Sequence, residues 1–200
     1  MRDAGRTFLI VVEGEKSEPA YFDGLCRALG LKTARVIVHH PEFTDPLNLV
    51  EEARRLAAER REQAKKSMAV VPFDEVWVVF DTEGQHDSRA PKVVAARQKA
   101  QAHGVRLAVS NPSFDFWIRL HFGFTTTPYA DGEKVCSDIK RNHHKGYDKR
   151  RPPMDVLVPK SKMAIQHAQA CRKHWEAAGG EKIPSTDVDL LIVALNEAAH

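Results

Sequence analysis

Apolar and polar positions alternate along this chain in blocks that predict strands separated by amphipathic helices. Thr7 to Val12 (TFLIVV) is a near-continuous apolar run rich in β-branched residues, the mark of a strand buried on both faces, and it stops abruptly at Glu13-Gly14-Glu15. Ser17 reads as the N-cap of a helix with Pro19 in its first turn, Tyr21, Leu25 and Leu29 along one face, and Gly30 at its end. Arg35 to His39 predicts a second strand, and Asp45-Pro46 opens a long helix that runs to Lys66. Glu75 to Phe80 (EVWVVF) predicts a third buried strand ending at Asp81. A helix from about Arg89 to His103, closed by Gly104, leads to a fourth strand at Val105 to Val109. Ser110-Asn111-Pro112 then turns into a helix carrying Phe114, Trp117, Ile118 and Phe122.

Such alternation implies a mostly parallel sheet covered by helices on both sides. Past Gly123 the pattern changes. Residues 125–155 are rich in Lys, Arg, His, Pro and Gly and poor in strand signals, and helices are expected at Lys160 to Ala178 and Thr186 to Ala199. The division predicted is an α/β core over 1–125 and, over 126–200, a basic loop region and helical extension packed on that core.

Composition narrows this only a little. Among 200 residues, 42% are hydrophobic and 28% charged, enough apolar material for a real core. The formal net charge of +3 permits a nucleic-acid partner without arguing for one, so the placement of charge matters more than its sum. Cys26, Cys136 and Cys171 are far apart and odd in number, no pair has zinc-ligand spacing, and an extracellular disulfide framework is not expected. No stretch approaches the ~18 apolar residues of a membrane span, and the first apolar run is too short for a signal peptide. A cytoplasmic protein with no membrane association is expected, its oligomeric state left open with a homo-oligomer among the options.

Three carboxylates fall where chemistry is expected. Glu13 follows the first strand, and Asp81 and Glu83 follow the third, at the carboxyl ends where open parallel sheets bind ligands. Residues two apart in extended chain point the same way, so Asp81 and Glu83 can reach one ion together. Crowded acids repel unless a cation neutralises them, and Mg²⁺ or Mn²⁺ suits oxygen ligands and phosphate oxygens alike. The other reading is that acids end strands because the loop is solvated or because they cap the next helix. Glu15 and Glu18 read as first-turn helix acids. Asp115 either completes the acidic cluster or complements a helix dipole, and Asn111, in the turn before it, is a candidate for helix-terminal phosphate contact.

Residues 134–151 carry seven Lys or Arg against two Asp. Lys140, Arg141, Lys145 and Lys149 are thus candidate nucleic-acid contacts, with Lys149 the candidate transition-state cation; the alternative is a solvated charged face. Phe114, Phe116 and Trp117 are assigned to the core rather than to base stacking, and His121 to a hydrogen-bonded helix position rather than to proton transfer. Neither a GxxxxGK[ST] phosphate loop nor a Gly-x-Ser-x-Gly elbow is present.

Four strings resemble the RloB-like family: VVEGEKSEPAYF, VVFDTE, SNPSFDFWIRLHF and PSTDVDLLIVAL. The third is the most specific of them, and together they touch nearly the whole chain. The resemblance implies a Toprim-like α/β fold, with Glu13 as the Toprim glutamate acting as ligand or general acid/base, and Asp81 and Glu83 as the Asp-x-Asp ligand pair. Glu83 stands where that pattern has aspartate, and Asp115 where relatives more often have glutamate. It further implies a metal-dependent nuclease acting on DNA or RNA in anti-phage defence and abortive infection, with an ABC- or AAA-type ATPase as partner. The alternative, motivated by Glu83, is a non-catalytic subunit that binds nucleic acid or the ATPase through a degenerate site.

Overall fold

The computed structural model describes residues 6–31, 36–42, 44–82, 90–179 and 183–199. Strands β1 (Phe8–Val12), β2 (Val36–His39), β3 (Glu75–Asp81) and β4 (Arg106–Asn111) run parallel, and β5 (Ser185–Thr186) pairs antiparallel with β4. The order across the sheet is β2-β1-β3-β4-β5. Helices α1 (Ser17–Ala28), α2 (Pro46–Lys66), α3 (Ala90–His103), α4 (Asp115–Leu120), α5 (Gly132–Asp138), α6 (Met154–Ala178) and α7 (Val188–Ala199) surround it, and α5 continues into a π-helical turn at Ile139–His143.

The period-two alternation of strand side chains divides the interior into two cores. Phe8, Ile10 and Val12 of β1 join Trp77 and Val79 of β3 in packing with α1, α4, α6 and α7. Leu9, Val11, Val76, Val78 and Phe80 pack on the other face with α2 and α3. Each fully buried aliphatic or aromatic side chain contributes ~1.5–3 kcal/mol, so β1, buried along its whole length, is firmly held. This is the Toprim-like α/β architecture implied by the sequence. The first core draws Phe116 and Leu120 together with Val135, Ile139, Leu157, Leu191 and Leu195, so residues beyond 125 share one interior with those before it.

Local signals explain most boundaries. Asp45 caps α2 by accepting from the amides of Leu47 (3.2 Å) and Asn48 (3.3 Å), with Pro46 in the first turn. Gly30 and Gly104 adopt the left-handed φ of 67° and 66° that ends α1 and α3. Four expectations are corrected. Ser17 is not an N-cap but the first residue of α1, because Lys16 O already accepts from Ala20 (3.1 Å). Ser110 and Asn111 do not form a turn but extend β4, because Ser185–Thr186 supplies a pairing partner. Residues 132–143, expected as loop, are helical, started by the Asp131 side chain on the Lys134 amide (2.9 Å). Helix α6 begins at Met154 and runs through Pro159, because Leu157 is driven into the core.

Connections leaving β1 and β3 diverge. From β1 the chain passes through α1 to β2 on one side; from β3 it passes through α3 to β4 on the other. Helices α1 and α3 lie on opposite faces of the sheet. The carboxyl ends of β1 and β3 therefore flank the topological switch point, where a crevice opens between diverging chains. Glu13 and Asp81 stand at those two ends.

His121 is completely buried, and its Nδ1–H donates to the Trp117 carbonyl at 3.0 Å, which removes it from proton transfer in the cleft. Burial lowers its pKa from 6.5 to about 4, so below pH 6.5 the unfolded chain takes up the proton first. The contribution of neutral His121 is complete above pH 6.5 and is lost as pH falls toward 4. The stability advantage of wild type over His121→Gln, measured by urea unfolding, is expected to shrink by up to on the order of 3 kcal/mol between pH 7 and pH 4. A constant difference across that range would exclude this account.

Candidate functional site

Hydrogen bonds at the ends of β1 and β3 tie the first two acids together. The Glu13 amide donates to Val79 O (3.0 Å), and Glu13 Oε2 accepts from the Asp81 amide (2.8 Å). The next residue is Gly14, and a Cβ there would lie inside the Glu18 carboxylate. Only glycine lets that carboxylate fold back over the strand end. Beyond Asp81 the chain stays fastened to β4, since the Thr82 amide donates to Ser110 O (2.9 Å). On the far side of β4, the short helix α4 opens with Asp115.

Glu18, Asp81 and Asp115 line one cleft of about 770 Å³, together with Lys149 and Arg150. Glu18 is only 5% exposed and Asp115 8%. Burial, reinforced by the charges of Glu13 and Asp115, pushes the Glu18 carboxyl up to about 7. Burial likewise raises Asp81 well above the ordinary carboxylate range, and Glu18, Glu13 and Asp115 add to the effect while the Phe114 amide opposes it. Asp115 is raised by burial too, against the Tyr147 hydroxyl, Lys149 and Lys140, which favour its charge. Burial thus disfavours the charge of all three cleft acids, and like charge adds to the effect at Glu18 and Asp81.

The donor set is all oxygen, anionic and mutually repelling, which fits a hard divalent cation such as Mg²⁺ or Mn²⁺, ions that keep several waters and need few protein ligands. Among the described residues no three carboxylate, imidazole or thiol groups are drawn into a closed ligand set. Glu83 lies outside the described residues. Glu13, Asp81 and Asp115 of the expected ligands are brought to one region, and Glu18 belongs with them.

Of the expected phosphate contacts, Lys149 lines the cleft, and Lys140 is near enough to Asp115 to favour its ionised form. Lys140, Arg141 and Lys145 are exposed on the π-helical turn and the chain after it. Asn111 pairs with Ser185 in the sheet and is not part of the cleft lining; the α4 cap position is Phe114, with no side-chain cap. Phe114, Phe116 and Trp117 are buried in the core, as expected. His143 and His144 stack on Phe122 at 5.6 and 6.4 Å between ring centroids.

Sequence reasoning passed over Glu18 and Arg150. A helix-start acid is ordinarily solvated, and nothing local to Glu18 marks it as turning inward. Arg150 was one of many cations in a basic run.

A protein-family model described as RloB-like protein matches residues 8–195. No curated protein and no solved structure matches the chain.

Removing the Glu18 charge relieves the crowding. Without added metal at pH 8, Glu18→Gln is expected to be more stable than wild type by on the order of 1–3 kcal/mol. In Mn²⁺ its melting temperature is expected to gain less than that of wild type. A variant destabilised in EDTA would refute the crowding argument.

Proposed function

Because the chain belongs to the RloB-like family, we propose that it is a divalent-metal-dependent nuclease that hydrolyses phosphodiester bonds of DNA or RNA in anti-phage defence, in concert with an ABC- or AAA-type ATPase. One observation carries this reading: Glu18, Asp81 and Asp115 line one cleft together with Lys149 and Arg150, and Glu13, at the end of β1, is bonded to the Asp81 amide beside it. Nucleic-acid backbone needs both signs of charge at the point of cleavage. Cations hold its phosphates, and acids hold the metal that acts on one of them.

In this reading Glu13, Glu18, Asp81 and Asp115 would hold Mg²⁺ or Mn²⁺, together with Glu83 as the family resemblance implies. Such an ion, when bound, polarises a phosphoryl oxygen and lowers the pKa of a ligated water. Lys149 and Arg150 bind the non-bridging phosphate oxygens and offset the negative charge that grows on them as the bond breaks. Glu13 and Glu18 are the candidate proton acceptors for the attacking water, Glu18 with its pKa near neutrality. Exposed Lys140, Arg141 and Lys145 extend the cationic track along which flanking phosphates lie. Among the described residues no helix is long and apolar enough to cross a membrane.

The lack of a closed ligand set among the described residues favours a second reading, a subunit that binds nucleic acid or the ATPase without cutting. Incubation of the protein, alone and with its ATPase, with DNA and RNA in Mg²⁺ or Mn²⁺ separates the two. A nuclease predicts cleavage that falls at least ~100-fold in Glu13→Ala and Asp81→Ala with the circular dichroism spectrum unchanged. Nucleic-acid binding without any cleavage would support the second reading. Replacing Lys140 and Lys145 together by alanine is expected to reduce the slope of log affinity against log salt by about 1–2.

A further inference from the structure

Tyr147 is buried at 3% exposure, and its ring packs in the same core cluster as Phe116, Val135 and Ile139. Its hydroxyl donates to Asp115 Oδ1, a partner 32 positions away in the chain. We propose that Tyr147 is a positioning residue whose hydroxyl sets the Asp115 carboxylate for metal binding in the cleft. This role rests on the metal-dependent reading given above.

The chemistry of the donor is the first argument. A lysine or arginine bonded to Asp115 would orient it but also cancel its charge, leaving a poor ligand. A phenolic hydroxyl is a neutral donor. It fixes the carboxylate plane through one oxygen and leaves the negative charge and the second oxygen in place. Metal ligands characteristically carry such an outer partner, and hydrogen bonds to an ionised acceptor are about twice as strong as neutral ones.

Rigidity of the donor is the second. The Tyr147 amide donates to His144 O (2.9 Å), and the His144 amide to Ile139 O (2.8 Å), so the residue sits at the end of a closed helical turn. That turn is pinned to the segment bearing Asp115 at two other points: Arg119 Nε donates to Asp138 Oδ2 (2.6 Å), and the His143 and His144 rings stack on Phe122. Immediately after Tyr147, Asp148 accepts from the Arg150 amide through its side chain and from the Arg151 amide through its carbonyl, both at 2.9 Å. The hydroxyl is thereby held from both sides against Asp115. Lys149 and Arg150 leave the same anchor to line the cleft.

Mn²⁺ binding to the full chain, followed by the electron paramagnetic resonance signal of the free ion, tests the role without reference to cleavage. Tyr147→Phe removes one oxygen atom and keeps the ring. It is expected to melt within a few degrees of wild type and to bind Mn²⁺ ~10–100-fold more weakly. Asp115→Asn is expected to weaken binding as well, and the double variant to be no weaker than Asp115→Asn alone, because the tyrosine acts only through that acid. Losses that multiply in the double variant, or wild-type affinity in Tyr147→Phe, would overturn the positioning role and leave the metal site standing. If wild type itself binds no Mn²⁺, the role and the reading beneath it fall together.

Discussion

Carboxylates taken out of water and placed side by side cost a folded protein energy, and that cost organises this molecule. Burial raises the proton affinity of Glu18, Asp81 and Asp115, and the charges of neighbouring acids add to it at Glu18 and Asp81. A flexible loop would relieve such crowding by swinging its acids into solvent. Here the acids are fastened to elements that do not yield: β1 is buried throughout, β3 is buried up to Asp81, and α4 is buried over its whole length. Hydrophobic packing on both faces of the sheet supplies what the acidic edge consumes.

Topology decides why the crowding occurs at this edge. Paths out of β1 and β3 diverge to opposite faces, so the ends of adjacent strands are left facing a crevice instead of a helix. Two strand-terminal acids at that crevice are held in register by a backbone amide, Asp81 N–H to Glu13 Oε2. Glycine at 14 then admits a third carboxylate where any side chain would exclude it. Opposite charge arrives from a distant part of the chain, through the turn that follows Tyr147.

Strands with continuous apolar runs were legible in the sequence because burial on both faces leaves no other pattern available. TFLIVV and EVWVVF could hardly be read otherwise, and the acids that end them followed at once. Less legible were features that depend on partners far along the chain. A two-residue strand such as Ser185–Thr186 has no period of its own and exists only because β4 offers an edge. Glu18 looked like an ordinary first-turn acid because nothing local reveals that Asp115 and Glu13 will sit beside it. The helix at 132–143 was hidden by its cationic composition, although Asp131 followed by Gly132 and Glu133 is a reasonable start signal. Tertiary context, rather than propensity, settled each of these.

The sheet edge at β4 is closed by residues from far along the chain. The Ser110 and Thr186 hydroxyls meet at 3.0 Å across 76 positions, and the Asp187 amide closes onto Val109 O (2.9 Å). Contacts of such long sequence separation are slow to form, since closing the long intervening loop costs chain entropy. While the polypeptide is being made, β4 therefore presents an open flank to its surroundings, the kind of surface on which strands of other molecules can add. Arrival of β5 and α7 seals that flank beside the acidic crevice.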